Sequence, residues 1–199
     1  MFARCKLKFD PLFNDLPDIL KHREKIDAIL DIGCGYGVPA CWCLENFPEA
    51  QVIGIDPDPE RIRVAARVTG ERGMMAEGAA PDLPDLPNPV DLILLLDMLH
   101  YLDDQQVMTT LERSYQLLAA GGVLVIRVVI IPPGRRSFYW YIEDLRVKLA
   151  GIRPCYRTLS DLIALMEKSG FTILATPPTG NKELVWAVGQ ADKKNTEGL

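Results

Sequence analysis

Two periodicities alternate along this chain. Short apolar runs of strand character occupy residues 28–32, 51–56, 90–96 and 123–131, with a weaker one at 74–76. Between and after them, apolar positions recur every three to four residues, the spacing that puts side chains on one face of a helix, at 38–47, 59–68, 105–118, 138–149 and 160–168. Asp58 followed by Pro59 supplies one helix with an N-cap and a first-turn proline, and Gly121-Gly122 is expected to terminate the helix ending at 118. Pro81, Pro84, Pro87 and Pro89 rule out a helix or a central strand there, so that stretch reads as an irregular connection. Two last runs, 171–176 and 183–188, flank a short Pro-Pro-Thr-Gly-Asn turn and should pair antiparallel. An extended start and one short helix are expected within 10–25. Strands alternating with helices imply βαβ units, hence an α/β three-layer sandwich with a seven-stranded, mostly parallel sheet whose last strands form an antiparallel hairpin.

A length of 199 residues fits one domain, large enough to bury roughly 70% of its unfolded surface without a metal or disulfide staple. The expected division is an N-terminal extension with its helix (1–27), the α/β domain (28–189) and a disordered polar tail (190–199). The formal net charge of −5 argues against a broad basic footprint for nucleic acid. No apolar run approaches the ~20 residues a membrane-spanning helix needs, and the N-terminus lacks the apolar core of a signal peptide. Five cysteines are an odd number, and Cys34, Cys41 and Cys43 fall in a loop and helix without zinc spacing. These features point to a reduced, cytoplasmic protein with no bound metal.

The first strand runs into Asp31-Ile32-Gly33-Cys34-Gly35-Tyr36-Gly37. Glycines there let the backbone turn tightly and approach a ligand closely, at the strand end where open parallel sheets bind ligands. The dinucleotide fingerprint would need glycine at 38, which is Val38. Asp31 would repel a pyrophosphate but favour a cationic end. Asp56 ends the second strand, where an acid accepts hydrogen bonds from both hydroxyls of an unphosphorylated ribose. A ribose at one end and a cation at the other describe S-adenosylmethionine, with S-adenosylhomocysteine as product, better than NAD.

From about residue 28 to 188 the chain resembles the class I S-adenosylmethionine-dependent methyltransferases. The resemblance rests on Asp31 to Gly37 as the family's acid and G-x-G-x-G loop, and on Asp56 as its second-strand acid. It also rests on the stretch from Val90-Asp91 to Leu99-His100-Tyr101-Leu102, and on the Gly121-Gly122 entry to the fifth strand. It implies a Rossmann-like fold, methyl transfer, and a cofactor held by Asp31, Gly33, Cys34, Gly35, Gly37, Asp56, Pro57, Ala79, Ala80 and Asp97. Two positions depart from the family pattern. Ala79 replaces the acid that often contacts adenine, so adenine would rely on backbone near Ala79 and Ala80, on Glu77 or on apolar packing, and Pro57 stands where a bulkier apolar residue is common.

Methyl transfer needs the nucleophile positioned at near-attack distance and sometimes a base. Asp97 is a candidate to position or deprotonate the acceptor, or to cap the next segment. His100 is a candidate general base, or a structural histidine at the rim, a question Tyr101 shares. Arg127 breaks an apolar strand, either to bind an acceptor anion or to form a salt bridge with a neighbouring helix. Tyr139 and Trp140, among aromatics and the cations Arg135, Arg136, Arg153 and Arg157, read as an acceptor wall or as packing on the sheet. The acceptor implied is a small molecule or a carrier-bound metabolite, and the protein a monomer or homodimer. A non-catalytic cofactor-binding module or partner subunit is the main alternative, and an NAD-dependent oxidoreductase a weaker one.

Overall fold

Each strand of the centre is apolar on both faces, because helices cover both. In the computed structural model, which describes residues 12–23, 25–149, 151, 153–179 and 181–193, the elements run α1 (Leu12–Leu20), β1 (Ala28–Ile32), α2 (Val38–Asn46), β2 (Gln51–Asp56), α3 (Pro59–Thr69), β3 (Gly73–Glu77), β4 (Val90–Leu96), α4 (Asp104–Leu117), β5 (Leu118–Val129), α5 (Phe138–Leu149), α6 (Leu159–Lys168), β6 (Phe171–Ala175) and β7 (Leu184–Ala191). The side chains of Tyr139, Glu143 and Arg146, the start of the N-terminal extension before Leu12 and the end of the expected tail from 194 lie outside the described residues.

The seven strands are ordered β3-β2-β1-β4-β5-β7-β6. β1, β2, β3, β4 and β5 are mutually parallel, while β7 lies antiparallel between β5 and β6. The chain leaves β1 to one side for β2 and later returns on its other side as β4. The carboxyl end of β1 is therefore the switch point where a crevice opens.

The period-two alternation of β4 sorts the core into two layers. Ile93 and Leu95 join Leu30, Ile32, Leu124 and Ile126 under α4 (Val107, Leu111) and α6 (Leu162, Met166). Leu92, Leu94 and Leu96 join Ile29, Val52, Val125 and Trp186 under α1 (Leu12, Leu16, Leu20) and α2 (Ala40, Cys43, Leu44). Polar ties fix the frame: Asp91 accepts the backbone N–H groups of Asp27 (2.8 Å) and Ala28 (3.0 Å), and the Trp186 indole N–H donates to Asp15 at 2.8 Å. Capping boxes at Asp103/Gln106 and Thr158/Asp161 start α4 and α6.

Two boundaries differ from expectation. The helix before β5 stops at Leu117, ahead of Gly121-Gly122, because Leu118 is already extended (ψ 146°) and paired with Val90. The glycines instead lie within β5, where the register against β4 shifts between Val90 and Leu92 and Gly121 takes φ +74°. At the other end, β7 continues through Gln190 and Ala191, assigned above to the tail. Gln190 pairs with both Val123 and Thr172, so the strand is held along both edges.

Candidate active site

The backbone at the end of β1 is bent by three glycines with positive φ, Gly33 (+77°), Gly35 (+56°) and Gly37 (+76°). A Cβ on Gly37 would come within 3.0 Å of the Ala65 Cβ, and one on Gly33 within 3.3 Å of Met98, whereas one on Gly35 would meet nothing within 4 Å. The first and third positions are closed by packing of the loop on α3 and on the β4 exit. The middle one faces open space at a cleft wall.

That cleft encloses about 720 Å³ and brings together Gly33, Cys34, Gly35, Asp56, Pro57, Ala79, Ala80, Asp97 and Tyr101 from the ends of β1, β2, β3 and β4. Its size is that of an ordinary small-molecule site. Tyr36, Val38, Pro39, Arg61, Gly78, Met98 and Leu102 complete it. Of these, Arg61 bears most on the chemistry. It stands in the first turns of α3, 3.7 Å from the Asp56 carboxylate, and its guanidinium lies 5.9 Å from the Tyr36 ring centre. The sequence signal for Arg61 was its place just after the Asp58 cap, which aims the start of α3 at the same strand end as Asp56.

Asp56 is 3% exposed, and each carboxylate oxygen accepts a backbone N–H: Oδ2 from Gly35 and Oδ1 from Asp58, both at 3.0 Å. This one side chain thus joins the glycine turn to the β2–α3 turn. Remaining lone pairs on the two oxygens can still accept from a ligand.

Asp97 takes φ +60° at the exit of β4, the one non-glycine residue with positive φ among those described. Its carboxylate accepts from Arg127 Nε at 2.8 Å and from Nη2, and its own N–H donates to the Arg127 carbonyl at 2.8 Å. Arg127 is buried and its guanidinium lies 5.6 Å from the Trp186 ring. Two residues singled out separately are therefore one bidentate pair, with Asp97 on the cleft wall and Arg127 behind it. The β4 exit thus supplies a partner to Arg127 through the Asp97 carboxylate.

His100 is also behind the wall, 6% exposed, with its ring 4.1 Å from Tyr101 and nearly parallel to Tyr156 at 6.1 Å. Burial lowers its pKa to about 4, against the opposing pull of the Asp97 charge. Arg157 holds this segment down, donating to the carbonyls of Leu99 (3.2 Å), Leu102 (2.7 Å) and Cys155 (3.0 Å) and to Asp104 (2.7 Å). Trp140, on α5, packs on Tyr156 at 4.8 Å and lies under Arg136 at 4.2 Å. Asp31 is buried within β1. Tyr139 is on α5 with its side chain outside the described residues.

Cys34 and Cys43 are buried and Cys41 partly so, and burial raises all three thiols. Among the described residues no cluster of three or more His, Cys, Asp or Glu side chains is placed to hold a metal ion, and no helix is long and apolar enough to cross a membrane.

Comparison with known proteins agrees with this geometry. Residues 29–122 match the family model described as a methyltransferase domain. A methyltransferase of Geobacillus kaustophilus is 30% identical over 157 residues, covering 73% of this chain and 69% of that protein. A phenazine O-methyltransferase of Lysobacter antibioticus is 28% identical over 157 residues; the match covers 77% of this chain but spans only 46% of that protein. A solved S-adenosylmethionine-dependent methyltransferase from Mesorhizobium loti superposes with a TM-score of 0.76 at 19% identity, covering 92% of this chain and 99% of the other, which shows a shared fold. The chain belongs to the class I S-adenosylmethionine-dependent methyltransferase family.

Proposed function

We propose that this chain binds S-adenosylmethionine in the cleft at the end of β1 and transfers its methyl group to a small-molecule acceptor. The observation that carries the reading is Asp56, buried at the switch point and fastened by two backbone N–H groups beside a glycine whose missing Cβ leaves the cleft open. The residues present fit the cofactor. Asp56 would take the ribose hydroxyls, the backbone of Gly33 to Gly35 the amino-acid end, and Pro57, Ala79 and Ala80 the adenine, by apolar contact and backbone groups in place of an acid.

When bound, the cofactor supplies a methyl group already activated by its sulfonium. What the protein then adds is placement. Asp97, locked by Arg127, forms a fixed wall where the acceptor would enter, and Tyr101 offers an exposed ring beside it. A conjugate acid near 4 makes the His100 imidazole a weak proton acceptor. The acceptor that suits this site brings its own nucleophile, a hydroxyl acidic enough to have lost its proton to solvent or an amine in its neutral form, and the rate gain comes from positioning. Similarity to a phenazine O-methyltransferase favours O-methylation of a flat, apolar acceptor; a carrier-bound metabolite is the second acceptor form in this reading.

The test is methyl transfer from labelled S-adenosylmethionine to a panel of hydroxylated aromatic acceptors, run with wild type, Asp56→Ala and His100→Gln. Turnover that is lost in Asp56→Ala and largely kept in His100→Gln supports the proposal. Cofactor binding without turnover on any acceptor supports the non-catalytic module instead.

A further inference from the structure

Helix α5 is apolar on two opposite sides. One side, with Trp140 and Val147, is buried against the body of the protein. The other carries Phe138, Tyr141, Ile142, Leu145 and Leu149, spaced three and four residues apart, so they form one stripe about 16 Å long. That stripe faces solvent: Phe138 is 81%, Leu145 57% and Leu149 78% exposed. A helix packed on one side normally turns polar residues outward, and an exposed contiguous apolar patch of this kind marks a contact surface.

The helix is not loosely attached. Ser137 accepts the Trp140 N–H at 3.1 Å, and both its backbone N–H and its hydroxyl donate to the buried Glu183 carboxylate, the hydroxyl at 2.6 Å. The stripe is thus presented on a fixed element.

Its surroundings are basic in a chain that is acidic overall. From 135 to 153 the sequence carries Arg135, Arg136, Arg146, Lys148 and Arg153 against Glu143 and Asp144. Lys148 pairs with Asp144 at 2.7 Å and Arg136 lies over Trp140, so the cations that count here are Arg135 and Arg153, one before and one after the helix. Arg135, Lys148 and Arg153 are exposed. An apolar stripe of Phe, Tyr and Leu bordered by cations is the composition of a helix that lies in a membrane interface, its apolar side among acyl chains and its cations at anionic headgroups. Self-association through the same face would set these cations against their own copies across a two-fold axis.

We propose that the outer face of α5 docks on an anionic lipid bilayer surface. The inference stands apart from the methyl-transfer reading, since it uses neither the cleft nor the cofactor.

The experiment is flotation of the whole chain with vesicles of phosphatidylcholine alone and with vesicles of equal parts phosphatidylglycerol and phosphatidylcholine, at low and high salt. The wild type should float with the anionic vesicles, far less with the neutral ones, and detach as salt rises. Leu145→Glu should weaken binding at least tenfold. Arg135→Gln with Arg153→Gln should weaken it about 25-fold, from about fivefold per cation near an anionic surface. These are exposed positions, and the arginine pair carries the test if the apolar variant folds poorly. A wild type that stays with the soluble fraction overturns the proposal, as does binding that survives all of these substitutions. So does a vesicle-inert dimer that Leu145→Glu converts to monomer, which would assign the face to a second copy. S-adenosylhomocysteine binding, measured on the same samples, reports separately on the proposed function.

Discussion

Replacing Asp56 by asparagine changes one oxygen to an NH2 group and almost nothing in shape. In the folded protein that side chain accepts two backbone N–H groups, from Gly35 and Asp58, each at 3.0 Å, while 3% exposed. An amide has one acceptor oxygen, so one donor must face an NH2 group and lose its partner in a place water barely reaches. A hydrogen bond to a charged acceptor is worth about 1.5–3 kcal/mol, and the second bond also weakens when its acceptor becomes neutral, giving about 2–4 kcal/mol in total. For a chain of this size that lowers the melting midpoint by roughly 5–15 °C. Scanning calorimetry of Asp56→Asn measures it, and titration with S-adenosylhomocysteine on the same protein should show affinity reduced by about 10- to 150-fold. An asparagine variant melting within about 2 °C of wild type would refute the claim that this carboxylate ties the two turns together. A destabilised variant with unchanged affinity would remove Asp56 from the ribose site.

Four other substitutions probe separate parts of the account. His100 has a pKa of about 4 in the fold against 6.5 unfolded, so the unfolded chain alone takes up a proton between these values. Stability held above pH 6.5 should fall by about 3 kcal/mol on approaching pH 4, and His100→Gln should flatten that part of the urea-midpoint profile; an unchanged slope would show the imidazole to be solvated. Gly37→Ala meets both a positive φ and Ala65 at 3.0 Å, whereas Gly35→Ala meets only the positive φ. The first should cost about 2–3 kcal/mol of stability and the second about 1–2, with Gly35→Ala losing more cofactor affinity than stability, as read by paired melting and titration. Arg157→Ala removes the donor to three carbonyls and the partner of Asp104, and should destabilise by about 2–4 kcal/mol with faster amide exchange at 99–102; unchanged exchange there would contradict its clamping role.

The sheet was legible in the sequence because each central strand is a continuous apolar run bounded by glycine, proline or aspartate, and the order of strands and helices leaves few topologies. Gly121-Gly122 misled because the same residues that end helices also fill bulges, and only the pairing of Val90 with Leu118 decides between them. Gln190 reads as tail from its polarity alone, because its pairing partners Val123 and Thr172 lie far away in sequence. At the site, the glycine loop and Asp56 could be read from local spacing. The Asp97–Arg127 pair could not, since thirty residues separate the partners and only the parallel register of β4 and β5 places them side by side. Burial of His100 beneath Tyr101 and Tyr156 was hidden for the same reason: its sequence neighbours say nothing of the segment at 155–157 that covers it.

The central claim is that the cleft at the end of β1 holds an adenosyl ligand with an amino-acid tail. Isothermal titration of the wild-type chain with S-adenosylmethionine, S-adenosylhomocysteine and NAD tests it most directly. The account predicts one site that binds both sulfur-containing ligands, is weakened in Asp56→Ala, and does not bind NAD. Binding of NAD alone, or of none of the three, would contradict it.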